Sequence, residues 1–456
     1  AYNMEELIRF YIKKKEFEKL QVILKDLQRH ELKEIFKHLK QDEQVIFFEV
    51  LSEDKAVELF KILGTQQQKN LLDTLQPPMV QTFLNQLSSD DRVRLFDRLP
   101  ERRVKSLLGV LTPDNRVEKL QLQAYVPETA GRIMTTEFVT LTEDMTQEEA
   151  LAKVTQEATR KENIYILFII DEKLKLTGFV TLHQLLMMAP TAVINEHMSR
   201  QPISVKTSED QEKVAQKVKE LDLLALAVVD DTNKLVGIVT FDDAMEILEE
   251  EATEDILNQA GLSDLKDTEE DRSKLLINGK LNKILAVRLP FLLATLLLSM
   301  LSGLVIENFE QTLESIAMVA IFIPLIMGMG GNIGTQSSTV FTRGLVLGHI
   351  EIENFLEHFF KELRVGLTIG ALMGIMAGLM ATIWLGFPML GLAVGLALFA
   401  TMTVASLLGF LVPFILIKLK IDQAAGSAPI ITTIKDLVAL LIYFTCISLF
   451  LGHLIS

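Results

Sequence analysis

The sequence predicts a multidomain protein with an α-helical superhelical N domain, two α/β modules in the middle and a five-helix all-α transmembrane domain at the end. Three observations predict this order: a leucine that recurs every 12 residues, a segment that is duplicated 59 residues later, and long apolar runs in the C-terminal part. Of the 456 residues, 49% are hydrophobic and 23% are charged. We expect these two fractions to belong to different regions.

The first region, residues 1–127, contains the leucine repeat. Twelve residues at about 100° each leave a remainder of about 120°, so one continuous helix would spread the leucines over three faces. The helix must therefore break once per repeat, and we expect a superhelical stack of short helices around one core. Residues that start or cap helices recur at one phase of the repeat. The leucines are Leu27, Leu39, Leu51, Leu63, Leu75, Leu87, Leu99 and Leu111, and the start signals include Ser52, Pro77, Ser88 and Thr112.

The second region, residues 128–252, contains the duplication. The stretches FIIDEKLKLTGFVTL and AVVDDTNKLVGIVTF align with a spacing of 59 residues. Each copy has the pattern of a β-branched strand, a polar turn and a second strand that ends at Thr181 or Thr240. An amphipathic helix precedes each copy. The region is therefore predicted to be a tandem α/β pair.

The two copies resemble tandem CBS domains, which take their name from cystathionine β-synthase. In that family the pattern Gly-h-h-Thr-x-x-Asp contributes to an adenosine-nucleotide pocket, with Asp at the ribose hydroxyls and Thr at the phosphates. The second copy keeps this pattern as Gly237, Thr240 and Asp243, so the resemblance implies a regulatory nucleotide such as ATP. In the first copy Gln184 replaces Asp, which argues against a second site. The alternative is that Thr and Asp simply start the following helix.

An acidic stretch follows the second copy. No Lys or Arg lies between Lys234 and Lys266, and like charges four residues apart destabilise an isolated helix. The alternatives are a solvated helix and a helix that binds a divalent cation through hard oxygen ligands, magnesium or calcium. We expect the cation, and we expect it to bring this helix close to the Asp90–Asp91 helix start. The expected metal ligands here are Asp90, Asp91, Asp243, Glu246, Glu250, Glu251, Glu254 and Asp255.

The last region, residues 281–456, contains five apolar runs of spanning length. They are residues 284–306, 315–341, 365–387, 390–417 and 430–455. Lys and Arg precede the first run and separate the second from the third and the fourth from the fifth, but the other two loops contain none. The acidic N-terminal part is therefore predicted to be cytoplasmic and the C-terminus to lie outside. A seam for close helix packing is expected in the third run at Gly366, Gly370, Gly374 and Gly378.

Polar residues inside two of these runs indicate an ion path. Amides exposed to lipid are costly, so the face with Asn332, Thr335 and Gln336 must point into a bundle or a watery path. Asp436 is the only carboxylate inside the predicted runs, and its insertion costs about 2.5–3.5 kcal/mol. The alternative is that Lys435 merely neutralises it. The residues expected on the same side as Asp436 are Thr432 and Thr433.

The stretches PLIMGMGGNIGTQ and GSAPIITTIKD, in the second and fifth runs, resemble the MgtE family of magnesium channels. The resemblance covers essentially the whole chain and implies a connecting plug helix at 253–280. It further implies a homodimer with Asp436 of both chains facing Mg²⁺ on the two-fold axis, and a cytosolic part that closes the pore when magnesium is high. Two positions depart from the family. Its Asp-Pro-Ala, which would add Asp422 to the metal-binding residues, reads Asp-Gln-Ala here, and Lys435 is unusual beside the pore acid.

Composition and motifs exclude several other functions. The net charge of −15 argues against a nucleic-acid partner, and we find no nucleophile, base and orienter combination that would indicate an enzyme. The single cysteine, Cys446, cannot form an intrachain disulfide, and the charged N-terminus predicts no cleavable signal peptide. We expect a multi-pass protein of the cell membrane, in contact with lipid. Two alternatives remain open, namely an ion-coupled divalent cation exporter and a membrane-anchored nucleotide sensor.

Overall fold

The computed structural model describes residues 4–158, 163–262, 272–419 and 423–454. Within them the chain forms two compact units, one up to Ala252 and the other from Thr253 onward. The first unit contains the helical region and the α/β pair, and the second contains the long apolar helices. The predicted fold class is confirmed in all three regions.

The N-terminal region is a series of short helices, as the leucine repeat predicts. The repeated leucines lie outside the helices, since Leu39, Leu63 and Leu87 each follow a helix in extended conformation with their side chains buried. One hydrophobic cluster from Ile8 to Leu111 confirms the shared core. The helices are α1 (Met4–Lys14), α2 (Phe17–Asp26), α3 (Arg29–His38), α4 (Gln41–Val50), α5 (Glu53–Ile62), α6 (Thr65–Thr74), α7 (Pro77–Gln86), α8 (Ser89–Asp97), α9 (Glu101–Leu108) and α10 (Pro113–Gln123).

Polar side chains at every second repeat give this stack a 24-residue period that the leucine spacing does not reveal. Gln44, Gln68 and Arg92 each donate a hydrogen bond to the carbonyl eight residues earlier, at 3.0, 2.8 and 3.0 Å. Each of these carbonyls lies in the last turn of a helix, where carbonyl groups lack partners within the helix. At the positions between them, Ala56 and Val80 are buried and apolar. Because α3 packs on α5 and α5 on α7, the structural repeat is a pair of helices.

Each α/β module has a three-stranded sheet in which the first strand is parallel to the second and the third is antiparallel to it. This confirms the predicted duplication. After a short helix α11 (Ala130–Ile133), the first copy contains β1 (Phe138–Leu141), α12 (Gln147–Glu157), β2 (Asn163–Ile170), β3 (Leu176–Thr181) and α13 (Leu182–Met187). The second contains β4 (Ser204–Lys206), α14 (Gln211–Glu220), β5 (Ala225–Val229), β6 (Leu235–Thr240) and α15 (Phe241–Gln259).

The second unit contains five helical segments that are long and apolar enough to cross a membrane, among the residues that the structure describes. Its helices are α16 (Arg272–Asn278), α17 (Leu281–Asn308), α18 (Glu310–Ser315), α19 (Ile323–Val346), α20 (Phe355–Leu385), α21 (Pro388–Lys418) and α22 (Gln423–Leu451). The expected glycine seam of α20 packs on α21. A Cβ atom at Gly374 would lie 2.5 Å from the carbonyl oxygen of Gly395, so the two backbones approach closely there.

The helices that carry the apolar runs extend beyond them and include further carboxylates. Helix α20 begins at Phe355, ten residues before the apolar run in the sequence, and therefore includes Glu357 and Glu362. Helix α17 likewise extends to Asn308 and includes Glu307. A search for apolar runs stops at charged residues, whereas a helix with intact backbone hydrogen bonds continues through them.

Candidate functional site

Three aspartates of the first unit meet where two helices begin. Asp90 and Asp91 lie in the first turn of α8, and Asp243 lies in the first turn of α15. One carboxylate oxygen from each residue lies within 4.8 Å of the other two. Helix N-termini favour negative charge, which offsets part of the repulsion in this cluster. The structure thus brings together Asp90, Asp91 and Asp243, as predicted from the sequence.

The carboxylates of this cluster have few hydrogen-bond or ion-pair partners. Asp90 is only 3% exposed, and neither of its carboxylate oxygens has a hydrogen-bond partner among the described residues. Burial, together with the charge of Asp90, raises the pKa of Asp91 to about 6 and that of Asp243 to about 9. The Arg94 guanidinium opposes both shifts. A carboxylate that is buried without a partner costs free energy, so the cluster favours a proton or a cation.

The donor set fits a hard divalent cation. Three carboxylates supply only oxygen ligands, which magnesium and calcium prefer, and magnesium usually keeps several of its waters. The two unpaired oxygens of Asp90 are the observation that supports this fit. Asp90, Asp91 and Asp243 would hold the ion.

Further along α15, arginines of the N-terminal helical region form ion pairs with glutamates. The sequence has no basic residue near these glutamates. Arg94 contacts Glu246 at 2.5 Å, and Arg98 contacts Glu250 at 3.2 Å. Arg94 lies in α8 and Arg98 directly follows its last residue, while Glu246 and Glu250 lie four positions apart in α15, so the second pair follows the first along α15. Glu251 accepts a hydrogen bond from Gln211. Glu246, Glu250 and Glu251 therefore have partners without a metal, and their role as metal ligands stays a prediction.

The remaining predicted metal ligands lie elsewhere. Glu254 and Asp255 belong to the second unit, where Glu254 forms an ion pair with Arg272 at 3.7 Å. Asp422 lies outside the described residues. The structure thus brings three of the predicted ligands together, and the roles of the others stay predictions.

The predicted nucleotide residues of the second copy are close to one another. Thr240 donates a hydrogen bond to Asp243 at 2.5 Å, and both side chains are buried. Close packing explains why residue 237 is a glycine, because a Cβ atom there would lie 2.4 Å from the sulfur of Met134. The carboxylate of Asp243 also belongs to the aspartate cluster, so one side chain serves two predicted sites.

The first copy uses the equivalent positions for helix capping. Thr181 accepts a hydrogen bond from the Gln184 backbone amide at 3.1 Å, and the Gln184 side chain accepts one from the Thr181 amide at 2.9 Å. This reciprocal capping box satisfies the free amides at the start of α13. Gln184 therefore has a structural role, and the lack of a second nucleotide site stays a prediction.

In the second unit, predicted path residues lie on exposed faces of two helices in contact, α19 and α22. Asn332, Thr335 and Gln336 are exposed on α19, and neither amide side chain bonds to another described residue. On α22, Thr432 is exposed and Asp436 is half-buried. The bundle of this chain therefore leaves an amide and carboxylate surface uncovered.

The contacts between α19 and α22 show which part of α19 lies beside Asp436. A Cβ atom at Gly330 would contact Ala439, and one at Gly334 would lie 2.4 Å from the Lys435 side chain. Asp436 therefore lies at the level of the segment between Gly330 and Gly334, which includes Asn332. Lys435 is buried and forms no ion pair within 4.0 Å of Asp436 among the described residues, but the two charges interact, so neutralisation by Lys435 stays an alternative.

Thr433 does not share the exposed face, because its side chain is 7% exposed. Thr432 and Thr433 lie four and three residues before Asp436, so both are near it on the helix, but only Thr432 is exposed. Arg94, Arg98 and Glu362 were not predicted from the sequence. Position in the sequence gives no signal for the arginines, which come about 150 residues before their partners.

Comparisons with known proteins agree with this arrangement. Residues 323–446 match the MgtE family of divalent cation transporters, residues 27–128 match the MgtE intracellular N domain, and residues 130–189 and 194–250 match the CBS domain. The magnesium transporter MgtE of Thermus thermophilus is 34% identical over 342 residues, which cover 75% of this chain and 74% of that protein. That of Bacillus subtilis is 33% identical over 333 residues, 73% of this chain and 72% of that protein.

Solved structures resemble the first unit. The crystal structure of the cytosolic domain of the Mg²⁺ channel MgtE in complex with ATP has a TM-score of 0.50 and 30% identity, and the match covers 53% of this chain and 98% of that one. The soluble part of a magnesium transporter has a TM-score of 0.51 and 27% identity, with 54% and 98% coverage. Identity of about one third across nearly three quarters of the chain leaves one conclusion: this chain belongs to the MgtE family.

Proposed function

We propose that this chain is a channel for magnesium, formed by two copies in the cell membrane and closed by cytosolic magnesium. The observation that carries the proposal is the uncovered polar face on α19 and α22, where half-buried Asp436 lies at the level of Asn332. Relatives that share about a third of the sequence are named magnesium transporters. Magnesium is the cargo, and ATP is a regulatory ligand.

Exposed amides and a carboxylate are costly in lipid, so the polar face needs a cover or a water-filled path. A second copy related by two-fold symmetry would bring two such faces together and supply two carboxylates. Magnesium loses its water shell reluctantly, so two carboxylates and nearby amide oxygens can hold the hydrated ion through its waters. The distribution of Lys and Arg supports cytoplasmic N-terminal regions and an outside C-terminus.

Closure by magnesium is supported by the aspartate cluster. Without the ion, Asp90, Asp91 and Asp243 repel one another, and the Arg94 and Arg98 pairs oppose separation of α8 from α15. With the ion bound, the repulsion becomes attraction and the contact between the two helices tightens. Magnesium therefore acts by shifting an equilibrium that the arginines already bias.

The exporter alternative gains one observation from the structure, because Glu362 is a further carboxylate in a long apolar helix and packs inside the bundle. Its oxygen accepts hydrogen bonds from Ser337 and Ser406, however, and Ser406 is fully buried. That arrangement favours a fixed residue over one that carries an ion. A passive channel reverses its magnesium current at the Nernst potential, whereas an ion-coupled exporter does not, so recordings with a reversed magnesium gradient separate the two.

The aspartate cluster predicts a pH-dependent contact. Because the folded pKa values of Asp91 and Asp243, about 6 and about 9, exceed the unfolded value of 3.8, the stability they contribute is complete below about pH 4 and is lost as the pH rises through both values. Without magnesium, amide exchange in α8 and the start of α15 should accelerate between pH 6 and 9 beyond the intrinsic rate. Magnesium should abolish this slope, and Asp243→Asn should reduce it. A slope that Asp243→Asn leaves unchanged would contradict the assignment.

Gating should depend on the same carboxylates. We expect the double substitution Asp90→Asn and Asp243→Asn to yield channels that stay open as cytosolic magnesium rises, because no ion site remains to tighten the contact. Patch recordings over a magnesium series measure this. Glu249→Gln is the matched control, since Glu249 is an exposed carboxylate of the same helix. Wild-type inhibition in the double variant would refute the proposed sensor.

Nucleotide binding should distinguish the two CBS copies. Thr240→Val should weaken ATP binding to the full chain in detergent by about 1–3 kcal/mol, the cost of a buried hydrogen bond. Thr181→Val is the control, because Thr181 is the equivalent residue of the first copy. Calorimetry measures both. A wild-type chain that binds no ATP would remove ATP from the proposed function.

Asp436 should be required for magnesium current. Asp436→Asn keeps the shape and an acceptor but loses the charge, and Asp436→Ala loses all three, so both should conduct little magnesium. Neither substitution should reduce the yield of folded dimer, because removing a carboxylate lowers the insertion cost. Wild-type conductance in dimeric Asp436→Ala protein would place the ion path elsewhere.

A further inference from the structure

Another carboxylate of the long apolar helices, Glu362, joins three helices at one point. It lies two turns into α20, and its Oε1 atom accepts hydrogen bonds from Ser337 of α19 and from Ser406 of α21. The two serine oxygens are 3.2 Å apart. Ser337 is 3% exposed and Ser406 is 0% exposed, so the bonds are shielded from solvent within this bundle.

Small residues hold the three helices closely together around this point. One turn beyond Glu362, a Cβ atom at Gly366 would lie 3.1 Å from the Cβ of Ser406. One turn beyond Ser406, a Cβ atom at Gly409 would lie 2.7 Å from the Cβ of Ser337. The backbones therefore have little room to slide, and the carboxylate bonds to serines that packing already confines.

The face of α19 that contacts Glu362 lies opposite its polar face. Ser337 and Gly334 are buried, whereas Asn332, Thr335 and Gln336 are exposed. Because α-helical residues keep fixed angles to one another, the bond to Ser337 sets the rotation of the exposed amides. One turn earlier, the side chain of Lys435 occupies the space beside Gly334, which fixes α19 against the helix that carries Asp436.

We propose that Glu362 is a positioning residue of the magnesium path: through Ser337 and Ser406 it holds α19 at the rotation that presents Asn332, Thr335 and Gln336 to the ion. This inference rests on the proposed function and adds a residue that does not itself touch the ion. A positioning role needs the acceptor oxygen and the length of the side chain, but not its charge. An ion ligand would need the charge.

The experiment compares Glu362→Gln with Glu362→Ala in the full chain reconstituted in vesicles. Glu362→Gln, whose amide oxygen can accept both serine bonds, should keep magnesium influx within about twofold of wild type. Glu362→Ala should lose about tenfold to a hundredfold, the scale expected when a binding group moves by about 1 Å. Adding Ser337→Ala to Glu362→Ala should cause little further loss, because both remove the same bond. Equal loss in the Gln and Ala variants, or wild-type influx in the Ala variant, would overturn the proposal.

A second readout is independent of magnesium transport. In a Cys446→Ser background, Gln336→Cys reports the exposure of the polar face through its rate of reaction with a water-soluble thiol reagent. Glu362→Ala should change that rate by about tenfold and Glu362→Gln should not. If wild type carries no magnesium, the proposed function fails while this measurement still tests the positioning role. Should Glu362→Ala not yield dimer, Ser337→Ala alone is the test, with a smaller change of the same kind expected and an unchanged rate contradicting the proposal.

Discussion

Lipid offers no hydrogen bonds, and the arrangement of the membrane unit follows from that constraint. Helix α19 carries amides on one side, so its other side has to make the contacts that hold it in the bundle. That other side contains Gly330 and Gly334, which have no side chain and therefore let α21 and α22 approach closely. The polar face points outward because the opposite face packs closely against α21 and α22.

In the first unit, buried carboxylates are stabilised in a different way. Asp90 and Asp243 are buried although this unit is not in lipid. The pairs of Arg94 with Glu246 and of Arg98 with Glu250 remove repulsion along the flank of the contact. They leave the three aspartates at its end with one nearby guanidinium, and the Asp90 carboxylate without a hydrogen bond to any residue that the structure describes. The demand for a cation is therefore concentrated at one end of the contact between α8 and α15. Binding or loss of one cation at that end can therefore change how tightly α8 and α15 pack.

Much of the architecture could be predicted because it follows from local spacing. The leucine period requires breaks every 12 residues, and the duplicated strands and the apolar runs are visible as patterns. The aspartate cluster could be predicted from helix starts and charge density. The arginine partners could not, since Arg94 and Glu246 are 152 residues apart and meet only through tertiary packing. Glu362 was missed because a charged residue ends an apolar run without ending the helix. The burial of Thr433 depends on which neighbours pack against α22, and spacing along the helix does not give that.

The alternation of Gln44, Ala56, Gln68, Val80 and Arg92 has a consequence for how the helical region can change in length. A duplication or deletion of one 12-residue repeat would keep the leucines in phase but would place an apolar residue where a helix end needs a donor. The same change over 24 residues would keep both patterns. The domain can therefore grow or shrink in helix pairs without losing its internal bonds, and homologues that differ in length here should differ by an even number of repeats.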